Sequence, residues 1–186
     1  MFIAITGKKG SGKDTFADAL KERNFYVLKF ADTLKNMIRT LYREAGLDDE
    51  TIERKIEGDL KESSCEILGG STPRWAMQSL GTEWAKLVDP THTLWSRIFL
   101  EKAAGYLNSG TPVVCTDVRF QHEADVVKKL GGNLIRVDRP GQTNDDTHLS
   151  EQEMEKLQVD VTVGNIGSIR QLREKATKLI EELRSE

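Results

Sequence analysis

The sequence predicts an α/β fold whose sheet is mainly parallel. Three features carry that expectation. Short apolar runs of strand character recur along the chain. Segments with apolar residues at helical spacing separate them. The first run ends in a glycine-rich stretch, Gly7-Lys8-Lys9-Gly10-Ser11-Gly12-Lys13, that opens straight into a helical pattern. Alternation of this kind builds strand–helix–strand units.

Phe2-Ile3-Ala4-Ile5-Thr6 reads as a short buried strand. The helix after the glycines begins near Asp14 and turns Phe16, Ala17 and Leu20 inward. Residues 25–30 suit a second strand, and Leu34, Met37, Ile38, Leu41 and Tyr42 then recur at helical spacing. The charged stretch 48–64 suits a surface helix and loop, and Gly69-Gly70-Ser71 breaks the chain. Thr72-Pro73 opens the next helix, with Thr72 as N-cap and Pro73 at the first helical position, where its missing N–H costs nothing. Asp89-Pro90 separates it from a helix through Trp95, Ile98, Phe99 and Leu107. Pro112-Val113-Val114-Cys115-Thr116 is a strand, and a helix around Ala124, Val127 and Leu130 ends at Gly131-Gly132. Residues 133–137 form another strand, 139–150 a polar loop, and 159–163 a last strand. Ser168 is the expected cap of a final helix with Ile169, Leu172, Ala176, Leu179, Ile180 and Leu183 inward. The helix-rich stretch from about 32 to 108 lies between the second and third strands. It is expected as an excursion from one sheet, within a single domain spanning 1–186.

Composition excludes several classes. A chain of 186 residues can bury one sizeable core. With 38% hydrophobic and 31% charged residues it resembles an ordinary soluble domain, and disorder is excluded. A net charge of −3 supplies no basic field for a nucleic acid polymer, so none is expected as a partner. No apolar run approaches the ~18 residues of a membrane span. The apolar start is too short for a signal peptide and has its charges on the wrong side. A cytoplasmic location follows as an expectation. Cys65 and Cys115 form no C-x-x-C pair, and Cys115, in an apolar run, reads as a reduced core residue.

The glycine stretch fits G-x-x-x-x-G-K, the phosphate-binding loop. Gly7, Gly10 and Gly12 let the backbone curl with its N–H groups inward, and the helix adds its positive N-terminal end. Lys13 reaches the β- and γ-phosphates. Ser11 completes the cradle, and Asp14 and Thr15 follow. Most such loops place a hydroxyl after the lysine to ligate Mg²⁺; here Asp14 stands there and Thr15 comes next. Two readings of Asp14 stay open: a Mg²⁺ ligand, direct or through water, or a helix N-terminal acid satisfying the dipole.

Triphosphate binding alone leaves the chemistry undecided. Asp138-Arg139-Pro140-Gly141 matches D-x-x-G of regulatory GTPases, but it lies late and no N-K-x-D follows. Asp117 ends an apolar strand as in motor ATPases, but Val118 stands where a water-activating glutamate would. A small-molecule kinase needs an acceptor site and arginines around the transferring phosphoryl group. Arg74, Arg119, Arg136 and Arg139 are candidates, and Arg119 stands out just past a strand's C-terminal end, where ligands of open α/β sheets bind.

Four segments occur together in order: GKKGSGKDT, Met77-Gln78-Ser79-Leu80-Gly81-Thr82-Glu83, Asp117-Val118-Arg119-Phe120-Gln121-His122-Glu123, and Arg139-Pro140-Gly141-Gln142 leading to Asp146-Thr147-His148. In these the chain resembles the deoxynucleoside monophosphate kinases of tailed bacteriophages, most weakly between Leu41 and Ser71. The resemblance implies a P-loop NTPase three-layer fold with a helical acceptor-binding insertion at about 32–108 and a lid loop at about 139–151. It implies transfer of the ATP γ-phosphate to a deoxynucleoside monophosphate, in the host cytoplasm if the chain is phage-encoded. Gly12, Lys13, Asp14 and Thr15 would hold ATP and Mg²⁺, with Asp117 positioning the metal or its waters. Arg119 and Arg139 would stabilise charge on the transferring group. Arg74 would face the acceptor phosphate and Gln78 its base, through an amide that donates and accepts. Trp75 and Trp95 would wall the base, or serve as core aromatics. Lys35 would reach the acceptor phosphate, or snorkel on its helix. Glu123 and His148 would fix the arginine-bearing loops by hydrogen bonds. Two alternatives stand beside this: a P-loop kinase for another phosphorylated acceptor, such as phosphomevalonate or dephospho-coenzyme A, and a non-catalytic nucleotide-binding regulatory module. The sequence leaves open the accepted bases, the reading of deoxyribose, and whether helix faces pack internally or against a second subunit in a homodimer.

Overall fold

The computed structural model describes residues 1–141 and 149–185. The chain divides into two compact units, Met1–Phe30 with Phe99–Glu186, and Ala31–Ile98.

The first unit is a three-layer α/β sandwich. Its five strands are β1 (Phe2–Thr6), β2 (Tyr26–Val27), β3 (Val113–Cys115), β4 (Asn133–Asp138) and β5 (Val161–Gly164), all parallel, in the order β2-β3-β1-β4-β5. The central strand β1 pairs Ala4 with Cys115 on one side and Leu134 on the other. Strand side chains alternate between faces. Ile3 and Ile5 therefore join one apolar layer with Phe16 and Leu20 of α1 (Lys13–Lys21), while Phe2 and Ala4 join the opposite layer with Phe99, Ala124 and Val127. A strand buried on both faces must be apolar throughout, which is why β1 has no alternation. Each fully buried Ile, Leu or Phe of these layers contributes about 1.5–3 kcal/mol.

The second unit is helical. It comprises α2 (Asp32–Glu44), α3 (Asp49–Ile56), a 3₁₀ turn (Asp59–Glu62), a second 3₁₀ turn (Glu66–Leu68), α4 (Pro73–Ser79), a π-helical turn (Leu80–Trp84) and α5 (Ala85–Val88). Its own core gathers Leu34, Ile38, Tyr42, Ile52, Ile56, Cys65 and Met77. Asp48 caps α3 by accepting from Thr51 N at 2.8 Å, and Thr72 caps α4 by accepting from Trp75 N at 3.1 Å. The chain leaves this unit along α6 (Leu94–Asn108), whose later turns belong to the first unit. Then follow α7 (Gln121–Lys129), α8 (Leu149–Lys156) and α9 (Ile169–Ser185). Ser168 Oγ accepts from Gln171 N while Gln171 Oε1 accepts from Ser168 N, a reciprocal cap at the start of α9.

Four expectations are corrected. The apolar run 25–30 forms a ladder only at Tyr26–Val27, because its neighbour β3 is itself three residues long. Phe25, Leu28 and Phe30 are buried as core residues instead. The stretch 48–64 is more than a surface helix, since Ile52 and Ile56 are fully buried. Leu149 and Ser150, expected in a loop, begin α8. The last strand lies two residues later than 159. The lid expected at about 139–151, with Gln142, Asp146, Thr147 and His148, lies largely outside the described residues. Among the described residues no helix is long and apolar enough to cross a membrane.

Candidate functional site at the carboxyl edge of the sheet

Parallel strands bring their C-terminal ends to one edge. The edge of the first unit carries the loop after β1, the turn after β3, the turn after β4 and Asn165 after β5. Chain order reverses here, with β3 and β4 on opposite sides of β1, so this is the switch point at which open α/β sheets bind ligands.

The loop is shaped by its glycines. Gly7 has φ +140°, and a Cβ there would lie 2.3 Å from the Val137 carbonyl oxygen. Gly12 has φ +104°, and a Cβ there would meet Asn165 Nδ2 at 2.7 Å and Leu172 Cδ2 at 2.8 Å. Gly12 is also the N-cap of α1 and has no side chain with which to cap the first turn. Ser11 Oγ is buried and, among the described residues, has no hydrogen-bond partner. A buried hydroxyl left unpaired, beside uncapped helical N–H groups, fits the oxygens of a bound phosphate chain. Lys13 Nζ donates to the carbonyls of Gly7 and Lys8, the latter at 2.8 Å, which folds its ammonium back over the loop.

The loop is tethered from outside. Asn165 Nδ2 donates to Ser11 O at 2.9 Å, and Asn165 N donates to Asp138 O at 2.6 Å, so one residue links β5, β4 and the loop. Lys8 pairs with Glu155 of α8 at 2.7 Å, which draws the Glu155 carboxyl below its ordinary range. Asn165 carries no motif and was missed by sequence reasoning; its only signal is a polar residue directly after the last strand.

Beyond β3, Asp117 Oδ1 accepts from Phe30 N at 3.0 Å and from Cys115 Sγ at 3.2 Å. Burial first, and then the Asp117 charge, push the Cys115 thiol well above its ordinary range, so it stays a neutral donor. Arg119 is exposed, and its backbone N–H donates to Glu123 Oε2 at 2.7 Å. The same oxygen accepts from Phe120 N at 3.1 Å. Phe120 is the N-cap of α7 and has no polar side chain, so Glu123, reaching back from the third helical position, takes over the capping. Burial, then the Asp117 charge, raise the Glu123 carboxyl to about 8. Glu123 thus fixes the turn bearing Arg119, as expected. Arg139 is exposed at the end of β4. Arg136 is committed elsewhere: its Nη2 donates to the carbonyls of Met154, Glu155 and Leu157 at the C-terminal end of α8. Asp14 is exposed and Thr15 half-buried in the first turn of α1.

The residues expected to hold an acceptor lie in the helical unit. Lys35 is mostly buried, its side chain 12% exposed, and pairs with Glu57 at 2.7 Å. Arg74 pairs with Glu62. Gln78 and Trp75 are exposed on α4. Trp95 Nε1 donates to Gly81 O at 3.1 Å, and its ring stacks on Trp84 with centroids 6.0 Å apart. The segment Met77-Gln78-Ser79-Leu80-Gly81-Thr82-Glu83 runs into the π-helical turn, a distortion that is frequent at functional sites.

The family model for deoxynucleotide monophosphate kinase matches residues 48–176. A deoxynucleotide monophosphate kinase homologue from Acanthamoeba polyphaga mimivirus is 38% identical over 171 residues, covering 84% of this chain and 83% of that protein. The deoxynucleotide monophosphate kinase of Enterobacteria phage T4 is 28% identical over 123 residues, covering 63% of this chain, which thereby spans 51% of the phage enzyme. Among solved structures, dephospho-CoA kinase from Campylobacter jejuni shares the fold with a TM-score of 0.54 at 18% identity, covering 98% of this chain and 96% of that one. Shikimate kinase from Aquifex aeolicus does so with a TM-score of 0.51 at 13% identity, covering 99% and 98%. With the glycine-rich loop 7–13 on a P-loop-kinase-type α/β fold and relatives matched along most of its length, the chain belongs to the deoxynucleotide monophosphate kinase family.

Proposed function

We propose that this protein transfers the γ-phosphoryl group of ATP to a deoxynucleoside 5′-monophosphate, giving the diphosphate and ADP. The observation that carries the reading is the loop 7–13: an orphaned, buried Ser11 hydroxyl and an uncapped helix start in a chain of this family.

Phosphoryl transfer needs positioning and charge stabilisation more than proton transfer. The loop N–H groups and Ser11 hold the ATP phosphates. Lys13 exchanges its two backbone carbonyls for β- and γ-phosphate oxygens, so its charge is spread over the breaking bond. Arg119, on a turn locked by Glu123, and Arg139, at the end of β4, carry the cations that gather around the transferring group. Arg74 and Lys35 bind the acceptor phosphate, and each must first leave its carboxylate. Gln78 reads the base edge, with Trp75 and Trp95 as aromatic walls. Asp14, Thr15 and Asp117 would supply hard oxygen donors for a Mg²⁺ ion, whose charge would offset that of the phosphate oxygens, and Asp117 is already held in place by Phe30 N–H and Cys115. Both substrates are cytoplasmic metabolites, which is where this reading places the protein.

The test is ADP release with ATP and Mg²⁺ against a panel of the four common deoxynucleoside monophosphates, dephospho-coenzyme A and phosphomevalonate. Stimulation by one or more deoxynucleotides supports the proposal. Stimulation by another acceptor alone, or nucleotide binding with no acceptor-dependent turnover, would overturn it.

A further inference from the structure

Two ion pairs of the helical unit converge on one short segment. Lys35 of α2 reaches Glu57, and Arg74 of α4 reaches Glu62. Arg39 approaches Glu57 at 3.6 Å, but its main partner is Glu53, at 2.6 Å. Between Glu57 and Glu62 the chain turns through a 3₁₀ helix that packs against α3 and α4 and carries Lys61. Lys61 is half-buried, and among the described residues no carboxylate lies within ion-pair distance of its ammonium. Lys35 and Arg74 pair with the two carboxylates that flank this turn, and Lys61 on the turn feels the charges of all four. Burial, and after it the positive charges of Lys35 and Arg74, pull the Lys61 ammonium below the ordinary lysine range, and the smaller attraction of Glu57 and Glu62 offsets this only in part.

Surface ion pairs such as Arg74–Glu62 are worth little by themselves. A half-buried lysine that feels two other cations carries a cost that Glu57 and Glu62 return only in part. A doubly charged anion reverses that cost, since it offers oxygens to all three cations at once.

We propose that Lys61 is the third cation of a phosphate-dianion site shared with Lys35 and Arg74, in which Glu57 and Glu62 are placeholders that the acceptor's 5′-phosphate displaces. This rests on the reading of the helical unit as the acceptor-binding part. It adds a residue that the four-segment resemblance does not contain, and it assigns a role to two carboxylates. Before the acceptor arrives, Glu57 and Glu62 keep Lys35 and Arg74 extended toward one place. On binding, the phosphate takes over those contacts and adds Lys61, and the two glutamates turn out to solvent, where they are already half-exposed.

The experiment measures KM for acceptor and for ATP separately in the full chain and in Lys61→Met, Lys61→Arg and Glu62→Gln. Lys61→Met is expected to raise the acceptor KM about 10- to 100-fold, as for loss of a hydrogen bond to a charged group, with the ATP KM within about twofold of the parent. Lys61→Arg is expected to restore most of that loss. Glu62→Gln, which frees Arg74, is expected to lower the acceptor KM. An acceptor KM within twofold of the parent in Lys61→Met, or an equal rise in both KM values, overturns the inference. Should Lys61→Met fail to fold, a raised or unchanged acceptor KM in Glu62→Gln overturns it instead. If the parent phosphorylates no deoxynucleoside monophosphate, the functional reading itself fails; an active parent with an unaffected Lys61→Met removes only this inference.

Discussion

Glu123→Gln replaces one carboxylate oxygen by an amide nitrogen and separates the charge of Glu123 from its hydrogen bonds. The carboxyl is 7% exposed and accepts from the N–H groups of Arg119 and Phe120 through Oε2. Its pKa rises from an ordinary 4.5 to about 8, through burial first and the Asp117 charge second. Between those two values the folded protein keeps a proton that the unfolded chain has released. Folding stability from this group is therefore greatest below about pH 4.5, falls as pH rises, and levels off above about pH 8. A shift of that size sets a ceiling of about 5 kcal/mol, and relaxation around the ionised group lowers what is measured. Glutamine mimics the neutral acid, since its carbonyl oxygen accepts both N–H groups. The two proteins should have equal stability at pH 4.5–5, within about 1 kcal/mol, and Glu123→Gln should be the more stable by about 2–5 kcal/mol at pH 9. Urea unfolding from pH 4.5 to 9 gives the difference directly. A difference that does not change with pH, or that grows in favour of the parent, would refute the reasoning.

Other outcomes follow from the same geometry. Lys13→Ala should lower kcat by at least about 100-fold, the order of a lost electrostatic contact at a reacting phosphate, with little change in melting temperature; an active variant would remove the basis of the mechanism. Arg119→Ala should act mainly on kcat, because charge on the phosphoryl group grows in the transition state; an effect confined to KM would make Arg119 a binding residue only. Gly12→Ala must place a Cβ at φ +104° against Asn165 and Leu172. It should cost about 2–4 kcal/mol in folding from strain and overpacking, and a melt unchanged from the parent would contradict the described loop.

Local features of the fold are legible in the sequence. The spacing of Gly7, Gly12 and Lys13 fixes the loop, because only glycine tolerates its φ values and contacts. The Thr72 and Ser168 caps are also local, each acting within three residues. Features made by distant partners were not legible. The run 25–30 has the composition of a long strand, yet the ladder available to it ends with β3. Ile52 and Ile56 hide among charges, and only the packing around Tyr42 makes them core. Arg136 resembles a phosphate clamp by position, but three carbonyls at and just past the end of α8, which has no clear apolar period in the sequence, take its guanidinium. Asn165 meets Ser11 across 154 residues of chain, a contact no spacing rule can reveal. The role of Asp14 is equally invisible locally, since a carboxylate at that position serves a helix dipole as readily as a metal.

The central claim is that the loop 7–13 delivers a phosphoryl group to a monophosphate. Its most direct measurement follows the label of γ-³²P-ATP in the presence of Mg²⁺ and each deoxynucleoside monophosphate. The account predicts label in the corresponding deoxynucleoside diphosphate, with one ADP formed per diphosphate and formation by Lys13→Ala at least about 100-fold slower. Label released only as inorganic phosphate, or retained in ATP with every acceptor, would contradict it.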